Sequence, residues 1–326
     1  MLLEVRHITE YTYDSPVRES VMELWMQPRA TATQRVVSFD LHIDPPTRVF
    51  AYADSWGNTV SHFDIPAPHS HLNVSARSVV ETEPPLPLPA SLSMESWDQV
   101  RAESIRGECW DFLHPHGFIV DTPALRAFRE TPDVAALTAL DPLTAVVELN
   151  ALLYRSFDYE AGVTAADSPI DHAILEGRGV CQDFAHIMIA ICRAWDIPAR
   201  YVSGYVHSRR GNGDRSDPDH SHAWVEVFLP GLRWIGFDPT NNTHAGERHI
   251  AVGIGRDYSD TPPSRGVFKG AAEGRLSVGV SVREAAVASP EPEFLQLGAP
   301  AIAAARRRAG TAAILNHRHQ QQQQQQ

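Results

Sequence analysis

Cysteine is scarce in this chain. Only three occur in 326 residues: Cys109, Cys181 and Cys192. An odd, low count excludes a disulfide framework and fits a reducing compartment. Lysine is scarcer still, with Lys269 the sole example. Long apolar runs are missing as well. The longest, around Phe184–Trp195, contains His186 and Arg193 and is too short to span a bilayer. The opening MLLEVRHITEYTY is interrupted by Glu4, Arg6 and Glu10 before an apolar segment can build. No signal peptide is read there, so the expectation is a cytoplasmic protein with no membrane partner. Positive charge is in deficit, and a formal net charge of −12 disfavours a nucleic-acid partner. What remains is ordinary globular composition, long enough for about two domains that need no covalent staples.

Residues 1–82 carry period-two patterns. Leu3, Val5, His7, Thr9, Tyr11 and Tyr13 share one parity, as do Val37, Phe39, Leu41 and Ile43, and Leu72, Val74, Ala76, Ser78 and Val80. Such alternation predicts half-buried strands. The turn chemistry between them (Asp44-Pro45-Pro46, Gly57-Asn58, Pro66-Ala67-Pro68) predicts a small β-sandwich or barrel. The proline-rich run 83–92 reads as a linker. Residues 93–285 read as a second domain with a helical lead-in over 93–155. Asp141-Pro142 there, and Ser168-Pro169 further on, are helix starts, each an N-cap followed by proline. A helix is predicted at about Val180–Trp195, then strands at 199–206, 222–229, 233–238, 248–254 and 275–283. The tail 286–326 is low complexity, ends in Gln320–Gln326, and is expected to be disordered apart from a short helix at 300–308.

Cys181 falls at the first turn of the predicted helix, after Gly179-Val180. The unpaired N–H groups of that turn favour negative charge, and therefore a thiolate. A lone cysteine is ordinarily a small buried hydrophobe. Here the packed stripe of the helix is already filled by Phe184, Met188, Ile191 and Trp195. Cys192 lies eleven residues further along, about 16 Å at helical rise. A disulfide needs Cα atoms within about 7 Å, so the two cannot pair. Cys192 and Cys109 read as core thiols.

His222, Trp224 and Glu226 alternate on a strand that turns at Leu229-Pro230-Gly231 and returns as Arg233–Asp238. A three-residue loop, Leu229-Pro230-Gly231, pairs Phe228 with Leu232 and sets His222 opposite Asp238 on one face. A two-residue loop would turn Asp238 away. An aspartate facing a histidine fixes its tautomer and supports the imidazolium. A competing reading gathers His220, His222 and Asp217 or Asp219 around a metal. No H-E-x-x-H or C-x-x-C spacing supports it, so no metal and no cofactor are expected. The polar loop 209–219, with Arg209, Arg210 and Arg215 against Asp214, Asp217 and Asp219, reads as a lid or as a solvated linker.

At this point the segments GVCQDFAHIMIAICRAWDIPARYVSGY and SHAWVEVFLPGLRWIGFDPTNN resemble the transglutaminase-like superfamily of papain-fold Cys-His-Asp enzymes. VRHITEYTYDSPV, MQPR and SWGN resemble the β-rich domain that precedes this core in a bacterial subfamily, and HIAVGIGRDYSDTPPSRGV its closing segment. The resemblance covers about residues 1–285. It implies an α+β fold, with a helix carrying the cysteine packed on an antiparallel sheet. It implies Cys181 as nucleophile, His222 as general base and acid, and Asp238 as orienting carboxylate. Gln182, Tyr159 and Trp224 are candidates for oxyanion or substrate contacts. Cross-linking members carry a tryptophan some tens of residues before the cysteine, whereas the nearest upstream one here is Trp110, and no acidic calcium loop is evident. The expectation is therefore an amide hydrolase, a peptidase or amidase acting on a peptide or protein substrate. An amine-accepting acyltransferase and a non-catalytic peptide-binding scaffold are the alternatives, and the oligomeric state is left open.

Overall fold

The computed structural model describes residues 1–102, 107, 109–208, 214–216 and 220–285. The tail with its expected helix, and Arg209, Arg210, Asp217 and Asp219 of the polar loop, lie outside the described residues.

The N-terminal alternation yields β1 (Leu2–Val17), β2 (Ser20–Leu24), β3 (Gln34–Asp44), β4 (Val49–Ala53), β5 (Thr59–Ile65) and β6 (His69–Thr82). The predicted inward parity is the buried one in β1 and β6, whereas in β3 an irregularity between Val36 and Ser38 leaves Val37 exposed while Phe39, Leu41 and Ile43 face the core. Leu3, Val5, His7, Thr9, Tyr11 and Tyr13 of β1 are all buried, as are Leu72, Val74, Ala76, Ser78 and Val80 of β6. A sandwich results, not a barrel, because the strands divide into two four-stranded sheets with free edges. Its interior is filled by Tyr11, Val17, Met22, Leu24, Ile43, Phe63, Leu72 and Val74.

Each sheet is completed from the far end of the chain. Strand β14 (Ser264–Phe268) pairs with β2, and β15 (Gly274–Glu284) pairs with β1 from Leu3↔Glu284 to Tyr13↔Gly274. The division at residue 285 is thereby corrected. Residues 264–284 belong to the sandwich, and the second domain is inserted between β6 and β14. Local periodicity identified the β15 strand but could not identify its partner.

The inserted domain begins with short helices: α1 (Ser96–Val100), α2 (Pro123–Arg129) and α3 (Pro132–Ala136), before the longer α4 (Pro142–Ser156). Asp141 caps α4 as its residue type predicts, accepting from Leu143 and Thr144 N–H at 3.1 and 3.2 Å. In α5 (Ile170–Glu176) the N-cap is Pro169 itself. Ser168 instead accepts from Ala165 N–H, so this helix start is one residue later than expected. The two-residue strands β7 (Asp158–Tyr159) and β8 (Arg178–Gly179) pair in parallel and lead into α6 (Cys181–Ala194).

Helix α6 differs from its expected amphipathic form. Every residue from Gln182 to Arg193 is buried, so it is a central core helix. Arg193, in its last turn, is held there by donating to the carbonyls of Ala199, His114 and Arg256. Against α6 lies an antiparallel sheet of order β12-β11-β10-β9-β13. Its strands are β9 (Ala199–Val206), β10 (His222–Leu229), β11 (Arg233–Asp238), β12 (Thr243–His244) and β13 (His249–Gly255). Ala223, Val225 and Val227 of β10 share a core with Ile187, Met188 and Ile191 of α6.

Strand β13 is a sheet edge, yet its backbone is paired. Gln34 donates from Nε2 to Ala251 O and accepts Ala251 N–H at 2.8 and 2.9 Å. Asn58 does the same for Ile254, at 2.8 and 2.9 Å. Two side-chain amides of the sandwich thus stand in for a neighbouring strand. Leu3, Val5, Val80 and Val280 of the sandwich pack with Tyr205, Ile250 and Val252 of the inserted domain. His7 Nδ1 meets Tyr205 OH at 2.8 Å across the same boundary.

A chain truncated after Pro262 removes β14 and β15 together. It should melt several degrees or more below the full chain, since each kcal/mol is worth roughly 2–4 °C in domains of 150–250 residues. Circular dichroism melts check this. An unchanged, equally sharp transition would show that the sandwich closes without them.

Candidate active site

The chain enters α6 through a tight approach. Asp183 turns back and accepts Val180 N–H at 2.9 Å and the Thr164 hydroxyl at 2.6 Å. A Cβ on Gly179 would lie 2.7 Å from Asp183 Oδ2, so only glycine fits. Burial raises the Asp183 carboxyl above its usual range, against these two hydrogen bonds. The cap leaves Cys181 at the first position of the helix, half-buried and free. Cys109 and Cys192 are in no disulfide and are buried, and burial pushes the Cys192 thiol up to about 12.

The hairpin of β10 and β11 brings up the histidine and aspartate with a corrected register. Leu229 pairs with Arg233 and Phe228 with Trp234. The loop is Pro230-Gly231-Leu232, closed by Leu232 N–H donating to Leu229 O at 3.1 Å. Gly231, at φ +73°, occupies the left-handed position of that turn. The expected pairing of Phe228 with Leu232 is therefore off by two residues. A slip of two preserves parity, so Asp238 stays on the face of His222, diagonal to it instead of opposite. His222 Nε2 meets Asp238 Oδ2 at 2.7 Å, with both side chains buried.

Asp238 uses both oxygens. Oδ1 accepts from Thr240 and Asn241 N–H at 3.0 and 3.2 Å, an Asx turn before which strand β11 ends. Oδ2 accepts from His222, from Asn241 Nδ2 at 2.7 Å and from His249 Nε2 at 3.2 Å. Turn chemistry and a histidine partner are thus both present, one on each oxygen. Burial works to raise this carboxyl, but its His222 and His249 contacts hold it far below its usual range. For His222, burial works to lower the imidazolium. The charge and hydrogen bond of Asp238, with Cys181 adding to them, raise it well above its ordinary value.

With Nε2 bound to Asp238, Nδ1 is the nitrogen left to address the thiol. It is buried and makes no aligned hydrogen bond. Cys181 and His222 border one cleft of about 50 Å3. Gln182 and Tyr159 border it too. Tyr159 is brought there by the β7–β8 pairing with Gly179, and Gln182 donates one amide hydrogen to Ala166 O at 2.9 Å. Trp224 does not border the cleft, which corrects its candidacy for substrate contact. It is buried behind the histidines, stacked on His222 at 6.1 Å and edge-on to His249 at 5.2 Å. The cleft lies at the end of β10, so alternation put Trp224 on the face of His222 but one step too deep.

Tyr201, Tyr258 and His249 were not singled out in the sequence, and His220 entered it only through the metal reading. Tyr201, Tyr258 and His220 border the cleft. Tyr201, Tyr258 and His249 have no local signal, because β9 and β13 reach the site through sheet order alone. Of the competing metal set, Asp217 and Asp219 lie outside the described residues. Among the described residues, the donors that gather closely enough for a metal are His222, Asp238 and His249, and these are joined by hydrogen bonds to a single carboxylate oxygen.

Comparison with known proteins adds three findings. The transglutaminase-like superfamily matches residues 133–239, and the bacterial transglutaminase-like N-terminal region matches residues 3–81. An uncharacterized protein of Mycobacterium leprae is 35% identical over 281 residues, 86% of this chain and 98% of the relative. A Pseudomonas aeruginosa protein-glutamine gamma-glutamyltransferase is 36% identical over 102 residues, 28% of this chain and 15% of that one. The crystal structure of a candidate cysteine protease from Cytophaga hutchinsonii superposes with a TM-score of 0.68. It has 21% identity and covers 88% of this chain and 92% of that one, a likeness of fold. Among the described residues, no helix is long and apolar enough to cross a membrane.

Burial and position separate the three thiols. Iodoacetamide below about pH 7 should label Cys181 first, with Cys109 and Cys192 reacting at least about tenfold more slowly. Peptide mapping by mass spectrometry checks the order, and equal labelling of all three in the folded chain would overturn it.

Proposed function

Because the chain belongs to the transglutaminase-like superfamily, we propose that it is a cysteine-dependent amide hydrolase, with Cys181 as nucleophile, His222 as base and acid, and Asp238 as the orienting carboxylate. One observation carries this reading. Cys181 and His222 border the same cleft, and His222 is backed by a buried carboxylate at 2.7 Å. Cysteine-dependent catalysis accords with the superfamily.

The chemistry follows from the geometry. Cys181 Sγ, as thiolate, attacks the carbonyl carbon of a peptide or protein amide bound in the cleft. The oxyanion meets the Cys181 backbone N–H at the helix start, where the peptide dipoles favour negative charge. Tyr159 and Gln182 border the same space and are the side-chain candidates for a second donor. The imidazolium of His222 gives its proton to the leaving nitrogen as the C–N bond breaks, and a thioester remains. Water, deprotonated by His222, then attacks the thioester. The acid leaves and the proton returns to the active-site pair. Asp238 keeps Nε2 protonated and Nδ1 turned to the sulfur throughout, the role a buried carboxylate plays beside a catalytic histidine.

Hydrolysis is favoured over aminolysis by the lining of the cleft. Among the described residues no tryptophan borders it, and Trp110 is exposed, its ring tilted against His114. Amine transfer is the second reading, favoured by the named activity of the Pseudomonas relative. A scaffold role does not account for an intact buried pair behind a partly exposed thiol.

Asp238→Asn should preserve the fold and reduce turnover of a peptide amide by about 10²–10⁴-fold, as the His222 tautomer is lost. Steady-state kinetics check it, and near-normal turnover would remove Asp238 from the mechanism. Partition of the thioester between water and an added primary amine separates the two activities. Free acid is expected as the main product, and a dominant amine adduct would establish transfer.

A further inference from the structure

Strand β13 delivers a second imidazole to the carboxylate that orients the first. We propose that His249 is a positioning residue of this site, a neutral imidazole that shares Oδ2 of Asp238 with His222 and thereby sets how strongly Asp238 holds the imidazolium. The inference rests on the Cys181–His222–Asp238 reading above.

The hydrogen bonds around His249 fix its tautomer. Gly246 N–H donates to Nδ1 at 3.2 Å. A backbone amide can only donate, so Nδ1 is the unprotonated nitrogen and the ring hydrogen sits on Nε2. That hydrogen points at Asp238 Oδ2, 3.2 Å away. The side chain is buried, with Trp224 edge-on to the ring. Burial, with the nearby charges of His222 and Arg248, opposes a second proton and outweighs the pull of Asp238.

A neutral donor on Oδ2 draws down the charge that His222 feels. Two imidazoles and Asn241 Nδ2 compete for one oxygen. The ionisable groups that face His222 are Cys181 from α6, Asp238 from β11 and His249 from β13. Those facing His249 are Asp238, His222 and Arg248. Removing the His249 donor leaves Asp238 more of its charge for His222, so the imidazolium persists to higher pH.

Two measurements test this on the full chain. Nitrogen-15 NMR of histidine-labelled protein, with His249 assigned by its loss in His249→Gln, should show a neutral, Nε2-protonated ring throughout about pH 5–8. A ring that titrates in that interval, or carries its proton on Nδ1, overturns the proposal. In pH–rate profiles, His249→Leu should move the alkaline limb of kcat/KM upward by about half to one pH unit, the size expected from one lost hydrogen bond. His249→Gln, which retains an N–H for Oδ2, should keep the limb in place. A merely structural residue would lower activity or thermal stability without moving the limb, and an unmoved limb in folded His249→Leu overturns the proposal. If His249→Leu does not fold, the NMR result decides. Because NMR needs no turnover, a correct tautomer in a chain that cleaves no amide would refute the hydrolase reading and leave this inference standing.

Discussion

A carboxylate with no contact to water organises this site. Asp238 is fully buried, and an isolated charge there would be too costly to keep. It is retained because five donors converge on its two oxygens: two backbone amides, one side-chain amide and two imidazoles. Those donors come from β10, from β13 and from the turn after β11. Asn241 extends the set to the polar loop, because its Oδ1 accepts the amides of Arg215 and Ser216. The position of His222 beside the cleft is therefore a property of the whole sheet.

How much of this was legible in the sequence depended on range. Strands 199–206, 222–229 and 233–238 were readable to the residue, because alternation and the Pro-Gly turn are local signals. The hairpin register was misread by two. The site survived that error, since Asp238 keeps its face under any even slip. Helix α6 was placed correctly by Gly179 and by its apolar spacing, but its burial on all sides was not readable from one amphipathic stripe. Ser264–Phe268 was missed as a strand because it is short and carries Gly266. His249 was invisible for a different reason: β13 joins the sheet beside β9, on the far side from β11, and no local pattern encodes that order.

The sandwich bears on the cleft through β13. Gln34 and Asn58 hold both backbone groups of Ala251 and Ile254. The strand they fix begins at His249 and leads into Tyr258, which borders the cleft. Just past that point, Trp25 N–H donates to Pro263 O at 3.0 Å. A buried cluster, His7 against Tyr205 with Leu3, Val5 and Val280, closes the same boundary. The N-terminal domain is thus part of the frame that holds the second imidazole in place.

The pairing of β1 with β15 has a consequence for synthesis. Glu284, the partner of Leu3, is made 281 residues after it. At about 5–20 residues per second the first strand waits tens of seconds for its last neighbour. During that wait one edge of β1 presents unpaired backbone over most of its length. The inserted domain, whose strand pairings all fall within residues 158–255, can form its sheet meanwhile. The chain is completed in an order opposite to its numbering: the domain that starts first is closed last.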